Sequence, residues 1–68
     1  MKVFRFYLEI SWGSGVRWIA AENKESAEII NDSNKDYGSQ GTWVYNGEIE
    51  GLSFQSEPGI IEEWVHVE

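Results

Sequence analysis

The chain has 68 residues, no cysteine, and 12 acidic against 5 basic side chains, giving a formal net charge of -7 at neutral pH. That length allows one domain, which buries only about 60% of the surface its unfolded form exposes. Disulfide staples and a Cys/His zinc site are excluded, so the core must come from apolar side chains, among them 4 Trp, 3 Tyr and 3 Phe, or from a partner subunit.

The charge is segregated along the chain. Lys2, Arg5, Arg17, Lys24 and Lys35 all precede residue 36, where Glu9, Glu22, Glu25, Glu28 and Asp32 balance them. The remainder holds Asp36, Glu48, Glu50, Glu57, Glu62, Glu63 and Glu68 with no Lys or Arg, so it carries the whole excess. Direct nucleic-acid binding rests on cations that neutralise phosphates, and this distribution argues against it. Basic partners are the natural expectation. No apolar run approaches the length of a membrane span, and Arg5 and Glu9 interrupt the opening hydrophobic stretch, so neither a signal peptide nor a span is expected and a cytoplasmic location is the default.

The first element is the clearest strand. In KVFRFYLEIS, Phe4, Phe6, Leu8 and Ile10 alternate with Val3, Arg5, Tyr7 and Glu9, the period-two pattern of a half-buried strand. WGSG, Trp12 to Gly15, supplies a reversal, and VRWIAA follows as a second strand, so residues 2–21 read as a hairpin. The glycine spacing matches no phosphate-binding loop. Asn23 is a good N-cap, Glu25 and Glu28 suit the positive end of a helix dipole, and Ala27, Ile30 and Ile29 form a narrow apolar stripe; a helix is predicted over Lys24–Ser33. SNKDYGSQG reads as an exposed loop.

Asn46-Gly47 is the strongest short hairpin signal in the chain. A turn there sets Tyr45 opposite Glu48 and Trp43 opposite Glu50, with Val44 and Ile49 on the other face, and a bulge at Gly51 returns Leu52 and Phe54 to the Ile49 side. After QSEPG, the segment GIIEEWVHVE fits a helical stripe through Ile60, Ile61, Trp64 and Val65. It also fits a strand through Val65-His66-Val67, and the Pro58-Gly59 break favours the strand. Glu62, Trp64, His66 and Glu68 then share a face, and Glu63 falls among apolar neighbours as an inward charge at a sheet edge. The expected fold is α+β: a small antiparallel sheet of four to five strands with one helix packed on one face, in ββαββ(β) order.

The carboxylates are the candidates for chemistry. Glu62 and His66 are too few for a metal, since a catalytic zinc takes three protein ligands. Glu48/Glu50 and Glu62/Glu63 are the only acid/base pairs on offer, but a chain with so little core has no walls for a cleft. No nucleophile motif exists. No enzymatic activity, cofactor or metal is therefore expected.

The tryptophans invite another reading. Trp43, Tyr45 and Trp64, ringed by Glu48, Glu50, Glu62 and Glu63, are expected to form an anchor patch for a basic protein surface. Aromatic sugar stacking is a weaker alternative. One expected partner is a nucleic-acid-binding protein blocked by mimicry, because strand carboxylates recur at about 6.6 Å, comparable to the spacing of backbone phosphates. Small acidic inhibitors of phages and mobile elements offer an analogy for that. The alternative is a structural homodimer or larger oligomer built through aromatic faces or edge strands.

Overall fold

A computed structural model describes residues 1–10, 13–34, 42–53 and 57–67. In chain order the elements are β1 (Lys2–Ile10), β2 (Gly13–Ala21), α1 (Lys24–Ser33), β3 (Thr42–Ser53) and β4 (Gly59–Val67). The four strands form one antiparallel sheet in the spatial order β3-β1-β2-β4, so the architecture is α+β with the first hairpin at the centre and the last two strands at opposite edges.

The alternation in β1 is realised as expected. Phe4, Phe6 and Leu8 are buried, while Arg5, Tyr7 and Glu9 are exposed. β2 begins at Gly13, which pairs with Ile10, so Gly13, Ser14 and Gly15 of the turn read from sequence belong to the strand; residues 11 and 12 lie outside the described residues. Asn23 caps α1, its side-chain oxygen accepting from the Ser26 amide at 2.8 Å and its carbonyl from the Ala27 amide at 3.1 Å. The helix packs through Ala27, Ile30 and Asn31, whereas Ile29, expected on the stripe, faces solvent. The loop expected after α1 falls mostly on residues 35–41, outside the described residues.

Two expectations are corrected. Asn46-Gly47 makes no hairpin: Thr42–Ser53 is one continuous strand, and the fifth strand that the hairpin implied is not formed among the described residues. β1 offers a free edge on the side away from its hairpin partner β2, and pairing along it outweighs a local turn. The backbone freedom of Gly47 is used instead in a bulge. Gly47 pairs with Arg5 and Tyr45 with Phe6, so Asn46 is the extra residue, Gly47 has φ 116°, and the Asn46 side-chain oxygen accepts from Arg5 Nε at 2.9 Å. A larger irregularity follows: the two steps from Lys2 to Phe4 are matched by five from Glu48 to Ser53, with Gly51 at φ 78°. Between helix and strand for residues 60–67, the strand is what forms. It carries its own register shift beside Ile61, since Trp18 pairs with Glu62 and Ile19 with Ile60.

The core lies between α1 and one face of the sheet. Phe4, Phe6, Leu8, Ile19, Ala21, Ala27 and Trp43 form it, with Ile30, Tyr45, Ile60 and Val65 packed around them. Trp43 reaches across the strands to Gly15. A Cβ on Gly15 would stand 3.0 Å from Trp43 Cη2, 3.0 Å from the Trp64 carbonyl oxygen and 3.1 Å from Val65 Cγ2, so only glycine leaves room for the indole. Gly15→Ala is therefore expected to destabilise the fold by about 1–2 kcal/mol, an overpacking cost of roughly 1–3 kcal/mol offset in part by the entropy gained on replacing a strand glycine. Urea denaturation followed by circular dichroism measures it, and an unchanged midpoint would contradict this packing.

Candidate functional site

The strand order separates the residues expected to make one patch. Trp43, Tyr45, Glu48 and Glu50 are on β3 at one edge, and Glu62, Glu63 and Trp64 are on β4 at the other, three strand spacings or about 14 Å away. Period-two alternation then sends the β4 residues to different faces. Glu63 pairs with Arg17 on the side covered by α1, while Glu62 pairs with Trp18 and Trp64 with Val16 on the opposite side. The adjacent glutamates therefore share no site.

On the helix side the anchor residues are used internally. Trp43 is only 6% exposed, which corrects its assignment as a surface anchor. Arg17 is fully buried, and its guanidinium carbon lies 4.2 Å from the centre of the Trp43 ring. Its Nε donates to Glu63 Oε1 at 2.7 Å, its Nη1 donates to Asn31 Oδ1 at 2.9 Å, and Nη2 is 2.7 Å from the same Glu63 oxygen. Asn31 Nδ2 in turn donates to the Trp43 carbonyl at 3.1 Å. Glu63 is thus no free carboxylate for a partner; it is the counter-ion that makes a buried cation tolerable. Tyr45 is half-buried, meeting Phe6 edge-on with centroids 5.7 Å apart, and Lys24 Nζ sits 4.6 Å from its ring centre.

Asn31 was missed in the sequence. A polar residue one helical turn after Ala27 and next to Ile30 breaks an apolar stripe, and that interruption was the available signal for a buried polar partner.

Among the described residues no helix packs on the other face of the sheet. The register lines up Val44, Tyr7, Val16 and Trp64 in one row, one residue from each strand. Val44 and Trp64 are each 59% exposed and Tyr7 40%. One flanking row holds Glu9, Ser14 and His66, the other Arg5, Trp18 and Glu62. His66 stacks on Trp64 with ring planes 18° apart and centroids at 6.2 Å. Beyond the second flank the face closes, since the paired Val3 and Ala20 are fully buried. Of the expected anchors, Trp64 and Glu62 belong to this face, and Glu48 and Glu50 remain exposed along β3. Tyr7, Val16, Trp18 and Val44 are the additions, legible as the polar-side members of alternating strands that are apolar nonetheless.

Among the described residues no group of three or more His, Asp or Glu side chains is able to hold a metal, and no helix is long and apolar enough to cross a membrane. No protein-family model, curated protein or solved structure matches this chain.

Removing Glu63 leaves Arg17 charged and buried, so Glu63→Ala is expected to cost about 3 kcal/mol, the low end for a broken buried pair because the Glu63 side chain is 30% exposed. The double variant Arg17→Met/Glu63→Leu should recover most of that loss. Thermal unfolding of the three proteins checks both statements, and a Glu63→Ala variant as stable as the parent would show that the pair does not hold the fold.

Proposed function

We propose that this chain is a small acidic protein-interaction module of the cytoplasm, without chemistry of its own, that docks on a basic surface of another protein. The observation that supports this reading best is the balance of charge after folding. Of the seven acids that make up the excess, Glu63 is paired with Arg17, whereas the exposed Glu48, Glu50, Glu57 and Glu62 lie outside that pair, which is the one ion pair among the described residues. Glu48 and Glu50 lie on one edge strand and Glu62 on the other, so the field of the molecule reaches a cationic partner from either side and speeds its encounter. Aromatic surface between those edges supplies the buried energy that charge alone does not.

The narrower form, mimicry of a nucleic acid by an inhibitor, needs a continuous track of carboxylates. Splitting Glu48 and Glu50 from Glu62 across the sheet gives it no support, so the basic protein surface is the partner proposed.

The test is capture from cell lysate at low and high salt, followed by titration of the recovered protein with the purified chain. The partner is expected to be basic and its affinity to fall with salt. Glu48→Gln/Glu50→Gln/Glu62→Gln should weaken it about tenfold or more. Binding indifferent to salt and to these three changes would overturn the reading.

A second reading, self-association into a structural oligomer, draws on the exposed Val44, Tyr7 and Trp64. Two copies each carrying -7 repel, so a monomer is expected by light scattering on dilution at low salt, and a dimer that persists there would favour the oligomer instead.

A further inference from the structure

We infer that the uncovered face of the sheet is the docking surface itself and that its occupant is a basic amphipathic helix of the partner protein, an inference that rests on the interaction-module reading. The row Val44–Tyr7–Val16–Trp64 spans the three strand spacings of the sheet, about 14 Å. That distance equals nine or ten helical residues at roughly 1.5 Å each, enough for three apolar anchors at i, i+3 or i+4, and i+7. The contact residues have the composition of an interface centre, with Tyr7, Trp18 and Trp64 as rigid aromatic surface, Val16 between Tyr7 and Trp64, and Val44 at the β3 end of the row.

The charges around the row select the sign of the occupant. Flanking rows lie about 6.6 Å to either side of the apolar one, and a helix with its side chains is about 10–12 Å wide, so residues on its flanks fall over them. One flank presents Glu9 and the other Glu62. The single cation among these residues, Arg5, is tied toward β3 by its bond to Asn46. Rings on the helix side already carry cations of this chain, Arg17 over Trp43 and Lys24 over Tyr45. Among the described residues no Lys or Arg lies over Tyr7, Trp18 or Trp64, which leaves the Tyr7 and Trp18 rings, and the Trp64 face turned away from His66, to Lys or Arg from outside. A second copy of the chain is the poorer occupant. Meeting face to face, two molecules of charge -7 would bring Glu9 and Glu62 of one against those of the other.

The probe is a synthetic amphipathic peptide of about ten to fifteen residues with leucines at helical spacing and lysines elsewhere, compared with the same peptide carrying glutamates in place of the lysines. Titrated into the isotope-labelled chain, the lysine peptide is expected to shift amide resonances of residues 7, 16, 44 and 64 and to become helical, and the glutamate peptide to do neither. Trp64→Ala and Val44→Ser, both at exposed positions, should each weaken binding, Trp64→Ala by about tenfold or more, with urea midpoints close to that of the parent. Shifts confined to α1 or to the outer edges, or full affinity in both variants, would overturn the assignment of this face. If Glu48→Gln/Glu50→Gln, on β3 and outside the flanks of this face, abolished binding in that case, electrostatic docking would stand without the face; if both peptides bound equally, docking on basic surfaces would fall as well. A wild-type dimer that Trp64→Ala dissolves would give the face to a second copy and end the proposal.

Discussion

The buried guanidinium of Arg17 is the constraint around which the rest of the molecule is arranged. It is fully buried on β2 and reaches Glu63 on β4, Asn31 on α1 and the Trp43 ring on β3. A charge in that position is tolerable only with its partners in place, since an unpaired buried ion costs several kcal/mol. Each partner is thereby fixed: Glu63 must turn inward, which sets the register of β4 against β2; Asn31 sets the rotation of α1; and Trp43 must lie flat beneath the guanidinium, which Gly15 permits. A chain of this length has little apolar surface to spend on specificity, and a polar hub joining three strands and the helix supplies it.

The functional consequences follow from what the hub consumes. It takes one carboxylate and one tryptophan out of the acidic, aromatic C-terminal half and turns them into fold. Because strand residues alternate, fixing Glu63 inward also fixes Glu62 and Trp64 outward, on the face without a helix. The surface left for a partner is therefore the reverse of the sheet, where Tyr7 and Val16 complete a row with Trp64 and Val44, and not the edge cluster that the linear sequence suggests.

Local signals were legible and non-local ones were not. The alternation of Phe4, Phe6 and Leu8 against Arg5, Tyr7 and Glu9 assigned both faces of β1, and Asn23 with Glu25 marked the start of α1, because each depends on neighbours within a few residues. Asn46-Gly47 misled for the same reason: its backbone preference is real, but a bulge against β1 satisfies positive φ at Gly47 as well as a turn does. Glu63 stood out as a charge among apolar neighbours, and it lies where that pattern placed it, inward on an edge strand; its partner Arg17 is 46 residues away in sequence, beyond any pattern argument. Trp43 and Trp64 looked alike in the chain and have opposite fates, decided by which strand face meets α1. The charge segregation was fully readable, whereas its division between two sheet edges required the order β3-β1-β2-β4.

The claim that one face is sealed over Trp43 and the other left open at Tyr7 and Trp64 is tested most directly by photochemically induced nuclear polarisation, which marks aromatic rings that a dissolved dye can reach. In the monomeric protein, Tyr7 and Trp64 should give strong signals and Trp43 none. A polarised Trp43, or a dark Trp64, would contradict the division of the sheet into a closed and an open face.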